Sequence, residues 1–272
     1  MAKKIDDAGV KVLLVALVIL VLGLGQALTQ DWSSILEQAE AKYAKFEKEI
    51  KDMTIVQEMK VITPEGEMVS EIKMLKKGEK FRVETRMQVP ETPDMPEGMG
   101  GMETIIIYDG KDTWMISSFQ GKKKLSGEEK KQYERERNWW ELVSEKAKIV
   151  GTEKVDKREC YVVEMEGGKE SPFTRLWLDK KNLDLTKAES KWPKGETMVL
   201  IHSDFRKIKG DWEMPYKREI YMDGELMSTF LVKSIEINKG LSDDLFDPDK
   251  VKVKGFDVEE MMRKMMPKGE EE

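Results

Sequence analysis

Hydrophobic positions change their spacing along this chain, and each change marks a change of element. Trp32, Ile35, Leu36, Ala39, Tyr43, Phe46 and Ile50 recur at three- and four-residue steps, which places them on one face of a helix. Ser34 and Glu37 read as a capping box at its entry. The period then becomes two. Met53, Ile55, Met59 and Val61 alternate with Thr54, Glu58 and Lys60; Met68, Ile72 and Met74 alternate with Val69, Glu71 and Lys73. Phe81, Val83 and Met87 alternate with Lys80, Arg82, Glu84 and Arg86. Such segments predict half-buried antiparallel strands with one wet face. Pro64-Glu65-Gly66 and Lys77-Gly78-Glu79 join them as turns. Further strands are predicted at Thr104–Tyr108 and Thr113–Ser118, on either side of Asp109-Gly110-Lys111-Asp112. Helical spacing returns from Ser126 to Lys146, where Tyr133, Trp140 and Val143 share a stripe that Trp139 extends. Ser126 and Glu129 read as a second capping box. Strands resume at Ala147 and continue to Asn238, separated by turns such as Gly167-Gly168, Lys209-Gly210-Asp211 and Asp223-Gly224.

Around ten or eleven strands in succession, with no alternation of strand and helix, predict one long antiparallel meander. The fold class expected is mainly β with flanking helices: an unclosed antiparallel β-barrel, or half-barrel, covered by amphipathic α-helices. Strand segments do not repeat at a fixed period, which argues against a propeller. After Asp243-Asp244-Leu245-Phe246 and Pro248, a last helix is predicted with Asp257 as its cap and Val258, Met261, Met262 and Met265 on one stripe.

The beginning of the chain sets its compartment. Lys3, Lys4 and Lys11 precede an apolar run from Val12 to Leu24, and Gly25-Gln26-Ala27 fits a leader-peptidase site. The run is shorter than the roughly 20 residues that span a bilayer. An export signal cleaved after Ala27 is the expectation, with an uncleaved inner-membrane anchor as the alternative. Residues 1–27 are then the signal peptide, 28–250 the folded domain, and 251–272 a Met-rich helix with an acidic tail.

Charge and cysteine content narrow the chemistry. The net charge is −6, and removal of residues 1–27 takes away three Lys and two acids, leaving −7. That argues against a nucleic-acid partner. Cys160 is the only cysteine, so no intrachain disulfide or thiolate metal cluster forms; in a strand it is a small buried apolar residue. His202 is the only histidine, which removes the usual catalytic base and any His pair for zinc, and it reads as an ordinary strand residue. Asp243, Asp244, Asp247 and Asp249 lack the glycine and terminal glutamate of an EF-hand and read as caps and turns. Gly98-Met99-Gly100-Gly101 lacks the lysine of a phosphate loop. The residues argue against an enzyme, and no cofactor is expected.

Methionine, with 19 copies, recurs on the apolar side of the strands, where a flexible thioether suits either ordinary packing or a cavity for variable apolar ligands. The cavity candidates are Ile55, Met59, Ile72, Met74, Phe81, Val83, Trp114, Ile116 and Val163. Tyr133, Trp139, Trp140 and Val143 are candidates for a lid. The Pro- and Gly-rich segment from Val89 to Met102 is too long for a plain hairpin. Its Met95, Met99 and Met102 are candidates for a membrane- or partner-touching loop, or for a soft copper(I) site.

Several of these motifs occur in an order that resembles a known family. The amphipathic segment Ile35-Leu36-x-x-Ala39-x-Ala41-x-Tyr43 comes first. Tyr108-Asp109-Gly110-Lys111-Asp112-Thr113-Trp114 and Leu176-Trp177-Leu178-Asp179 follow, and Ile237-Asn238-x-Gly240-Leu241-Ser242-Asp243-Asp244-Leu245-Phe246 closes the series. Across roughly residues 31–250 the chain resembles the outer-membrane lipoprotein-sorting proteins of the LolA/LolB-like superfamily. The resemblance implies an unclosed β-barrel lidded by helices, with an interior for the acyl chains of lipoproteins or a related lipid. It implies a monomeric periplasmic carrier and, as partners, an inner-membrane releasing transporter and an outer-membrane acceptor. Membrane-anchored receptors of the superfamily carry a protruding loop where Val89 to Met102 lies here, but they are lipidated on a cysteine that this chain lacks after the signal, which favours the soluble carrier. Relatives of the same fold that sense rather than transport leave a non-transporting sensor or scaffold as the alternative, beside copper(I) binding.

Overall fold

The structure, a computed structural model, describes residues 31–64, 66–88, 101–118, 120–131, 133, 139–144, 146–165, 171–192 and 194–251. The expected signal peptide, the Met-rich helix from Asp257 onward, and Met95 and Met99 lie outside the described residues.

Helix α1 spans Trp32–Glu49 and buries Trp32, Ile35 and Ala39. It starts two residues before the capping box read from the sequence. Asp31 is its N-cap without a side-chain cap bond, while Ser34 lies inside the helix and accepts from Gln38 Nε2 at 3.0 Å.

The chain then runs through six strands: β1 Asp52–Thr63, β2 Gly66–Lys77, β3 Lys80–Gln88, β4 Gly101–Tyr108, β5 Thr113–Ser117 and β6 Gly121–Lys124. The β4–β5 turn shows how these hairpins close. Asp109 Oδ1 accepts from the backbone N–H of Lys111 and of Asp112, both at 2.8 Å, around a Gly110 whose φ of 101° suits glycine. Those two bonds and one from the Trp114 indole outweigh partial burial and hold the Asp109 carboxyl below its usual range.

The predicted helix from Ser126 to Lys146 is not one helix. Its described parts are the five-residue α2, Gly127–Lys131, a turn at Tyr133 and a 3-10 turn at Trp139–Leu142. Glu129, expected to cap, pairs instead with Lys123 Nζ at 2.7 Å. A short stripe of aromatic residues carries the same periodicity whether it winds one helix or two short turns, and tertiary packing decides between them.

Seven strands return: β7 Lys148–Val155, β8 Arg158–Glu164, β9 Arg175–Asp179, β10 Leu185–Lys191, β11 Thr197–Lys209, β12 Trp212–Met222 and β13 Glu225–Ile237. All thirteen form one sheet in the order β6-β5-β4-β3-β2-β1-β13-β12-β11-β10-β9-β8-β7. Every pairing is antiparallel. The chain therefore leaves the centre by β1, jumps to the far edge, and steps back until β13 lies against β1. The ends of the sheet, β6 and β7, are not paired with each other, so the barrel is unclosed. The strand missing from the sequence reading is β6, whose Gly-Lys-Lys-Lys has no alternation and is wholly exposed. Lysine on an edge strand discourages pairing with another chain.

Directly opposed residues of antiparallel strands share a face, so the register assigns every strand residue to one of two faces. On one face α1 packs: Trp32, Ile35 and Ala39 join Val163, Leu176, Leu178, Ala188 and Trp139 in the largest core. The opposite face is closed in two places. Leu75, Ile105, Ile107 and Ile116 are covered by Phe246, Leu241, Leu245 and Val251, around the 3-10 turn Asp243–Phe246. Cys160, Val162 and Trp177 form a smaller cluster.

Candidate functional site

The face that carries α1 holds a continuous apolar row beside the packed core. One row of opposed residues runs Met115, Ile106, Val83, Met74, Ile55, Ile235 across six strands, β5 to β1 and β13. Ile106 and Ile55 are buried, while Met115, Val83, Met74 and Ile235 stay partly exposed. The next row is mixed, with Ser117, Thr104, Thr85, Ile72, Gln57 and Val232. A third pairs Ser70, Met59, Phe230, Arg218 and His202. The site is thus an apolar strip bordered by hydroxyls and one amide.

Six of the cavity candidates, Ile55, Met59, Ile72, Met74, Phe81 and Val83, lie on this face of three adjacent strands. Phe81 stacks on Tyr108 with ring centroids 5.7 Å apart. Val163 shares the face but is fully buried beneath α1, in the packed core. Trp114 and Ile116 stand on the opposite face, opposed to Ile107 and Ile105. Ile116 belongs to the Phe246 cluster, and Trp114 donates its indole N–H to Asp109 Oδ2 at 3.0 Å. The parity of β5 was one residue out in the sequence reading because Trp114, Met115 and Ile116 are consecutive apolar residues.

Ile106, Ile235 and Phe230 belong to the strip and escaped the sequence reading. Ile105-Ile106-Ile107 is unbroken, so alternation does not single out its inward residue. In β13 an irregularity between Val232 and Ser234 puts Val232 and Ile235 on one face at a spacing of three.

Among the lid candidates, Trp139 is buried and meets Trp140 edge-on at 5.7 Å. Trp140 stacks on Tyr43 of α1 at 3.9 Å, and Trp32 approaches Trp139 at 6.4 Å. Val143 packs against the same core, whereas Tyr133 is exposed. Burial and the nearby Asp184 charge push the Tyr43 phenol up, so it stays neutral. Phe46 and Tyr43 meet Trp212 at the start of β12, at 3.9 and 5.2 Å. Lys42 anchors the same end of α1 by donating to Asp184 and to the carbonyl of Asn182. Met102 belongs to β4, opposed to Met87, and so lies in a strand.

His202 lies in β11, with Nδ1 2.8 Å from the Leu185 carbonyl oxygen. Burial outweighs that bond and lowers its pKa to about 4, with the Arg218 charge acting in the same direction. Cys160 is fully buried, with Sγ 3.2 Å from Thr186 Oγ1, and burial raises its thiol pKa. The aspartates near the end serve the fold: Asp243 takes Lys77 and Lys80 at 3.0 and 2.9 Å, Asp244 takes Lys250 at 2.6 Å, and Asp249 pairs with Lys122. Among the described residues no group of His, Cys, Asp and Glu is placed to hold a metal ion.

An unclosed antiparallel barrel with a helix on one face defines a class of β-rich proteins, and solved structures resemble this chain in fold. A DUF1329 family protein from Desulfovibrio piger matches with a TM-score of 0.58 and 17% identity, over 82% of this chain and 99% of that one. A putative outer membrane lipoprotein-sorting protein domain from Vibrio parahaemolyticus matches with a TM-score of 0.52 and 15% identity, over 79% of this chain and 96% of that one. No curated protein matches in sequence. A family model described only as an uncharacterized protein matches residues 111–252, just over half of the chain. The chain belongs to that family, and its fold is shared with the DUF1329 protein and the putative lipoprotein-sorting domain.

Proposed function

We propose that the strip beside α1 binds the acyl chains of lipoproteins or of a related lipid, and that the protein is a periplasmic carrier shuttling them towards the outer membrane. The observation that carries the reading is an asymmetry between the two faces of the same strands. On the outer face the apolar residues Leu75, Ile105, Ile107 and Ile116 are buried under Phe246, whereas Met74, Val83 and Met115 on the helix face remain partly exposed. Apolar surface left uncovered forfeits roughly 25 cal/mol per Å², and a flexible acyl chain recovers it without demanding a fixed shape. Methionine suits such a surface, since its thioether adapts to chains of different length. Hydroxyls of Thr85, Thr104 and Ser117 border the strip. Binding of an apolar ligand is the role this supports, and the likeness to a lipoprotein-sorting domain supports the class of cargo.

The test is native mass spectrometry of the full-length protein purified from the cell envelope, followed by displacement of a fluorescent fatty acid by a synthetic lipidated peptide. Bound lipid and displacement are expected. A protein that emerges without lipid and ignores the fluorescent acid overturns the reading.

A further inference from the structure

Large exposed hydrophobic side chains are distributed unevenly over the two ends of the sheet. Among the described residues Ile62, Met68, Val150, Trp192, Met227 and Tyr133 are the exposed ones. The first five lie within three residues of one rim: Ile62 is the penultimate residue of β1, Met68, Met227 and Val150 are the third residues of β2, β13 and β7, and Trp192 follows β10. At the opposite rim the turns are Gly78-Glu79, Gly110-Lys111, Asp156-Lys157, Lys180-Lys181 and Gly210-Asp211, all polar. Isolated exposed apolar residues are ordinary, but their confinement to one end is not what a uniformly wetted molecule shows.

Three of the apolar hairpins are consecutive. Sheet order places β2-β1, β13-β12 and β11-β10 side by side, so their tips form one line of about 24 Å at the usual strand spacing. Trp192 is the largest group on it, 52% exposed. Trp192 N–H donates to Glu196 O and Gly195 N–H to Trp192 O, both at 2.9 Å. The backbone at Trp192 is thus hydrogen-bonded while its indole is exposed, and exposed Lys191 and Lys194 flank it in sequence. An amphipathic ring between two cations is the chemistry of a membrane interface, where the ring sits at headgroup depth and the ammonium groups meet lipid phosphates.

A second observation sets the direction. Helix α1 runs from this rim to the other: Trp32 donates to Ser144 O at 3.2 Å, near the start of β7, whereas Glu49 O accepts from Lys209 and Asn238 at the polar rim. The chain before Asp31, with its apolar run Val12–Leu24, therefore enters the domain at the apolar rim. We infer that the rim formed by the β1–β2, β12–β13 and β10–β11 hairpins is a docking surface for a lipid bilayer, entered shallowly by Trp192, Met227, Met68 and Ile62. If the run is the uncleaved anchor named as the alternative to a cleaved signal, the membrane holding it meets this rim first; if it is cleaved, the rim docks by its own side chains. The inference is independent of the acyl-chain site, because docking uses the tips and not the strip.

The test uses the full chain reconstituted in vesicles of phosphatidylethanolamine and phosphatidylglycerol. An environment-sensitive NBD dye is placed on Trp192→Cys or Met227→Cys, and on Asp211→Cys at the polar rim; Cys160, fully buried, does not compete for the label. Blue-shifted emission quenched by doxyl lipid is expected at the first two sites and not at the third. The same pattern in a Phe81→Glu background, where acyl binding should be weakened, shows that docking stands apart from the strip. Rim labels as wet as the Asp211 label overturn the inference. A blue shift that needs added membrane proteins and resists doxyl quenching also overturns it, in favour of a protein partner.

Discussion

Lys42 Nζ stands 2.5 Å from Asp184 Oδ1 and 2.6 Å from the carbonyl oxygen of Asn182, so one side chain of α1 pins the helix to the turn between β9 and β10. Burial raises the Asp184 pKa even with Lys42 beside it, and Arg158 Nη1 lies 3.8 Å from its other oxygen. The ammonium also lies 5.0 Å from the Trp212 ring centroid. Removing one partner of a buried pair leaves an uncompensated charge and costs about 3–5 kcal/mol when nothing replaces it. Here Arg158 remains, so Lys42→Met should destabilise by about 2 kcal/mol. The double variant Lys42→Met with Asp184→Leu should recover most of the loss. Urea unfolding of the three proteins checks both statements, and a single variant as stable as the parent would remove the pin.

Introducing charge on the strip should separate its two faces. Ile72→Glu and Phe81→Glu place a carboxylate where acyl chains are proposed to lie, and each should weaken fluorescent fatty-acid binding by at least about tenfold, the equivalent of 1.4 kcal/mol. Trp114→Phe, on the opposite face, should leave binding within about twofold, a change of a few tenths of a kcal/mol. Equal effects on both faces would place the binding surface elsewhere.

Low pH should weaken the fold through His202. Its folded pKa, about 4, lies below the ordinary 6.5, so the folded state disfavours the imidazolium. The stability tied to the neutral ring is complete above pH 6.5 and is lost as pH falls towards 4. The full loss is on the order of 3 kcal/mol. Unfolding midpoints measured from pH 7.5 down to 4.5 should decline more steeply for the parent than for His202→Gln. Parallel declines would assign the acid sensitivity to the carboxylates.

Phe246 should matter for stability and not for cargo. Its ring is 1% exposed and seals Leu75, Ile105, Ile107 and Ile116 from behind. Phe246→Ala opens a cavity there and should cost about 3–5 kcal/mol. Fatty-acid affinity, measured where the variant remains folded, should stay near the parent value. A selective loss of affinity would mean that the two faces communicate through the strands.

Much of this architecture was legible in the spacing of apolar residues. The α1 stripe, the alternation in β1 to β3 and the Gly-containing turns placed six strip residues on one face correctly, because a strand with one wet face writes its orientation into every second residue. Legibility failed where that code lapses. Ile105-Ile106-Ile107 and Trp114-Met115-Ile116 are apolar on both sides, since the outer face there is covered by Phe246 from more than a hundred residues away. In β13 an irregular register breaks the period. Trp139 and Trp140 show helical spacing yet belong to a 3-10 turn, because what holds them is Tyr43 and Trp32 and not their own backbone ladder.

The sequence by itself determined the class, an antiparallel meander with an amphipathic helix, because those choices rest on local periodicity and turn chemistry. Only the tertiary structure decided that β13 returns to β1, that α1 runs from an apolar rim to a polar one, and that Lys42 meets Asp184. Those relations join residues far apart in the chain. Their energies come from burial and charge pairing, which no local pattern encodes.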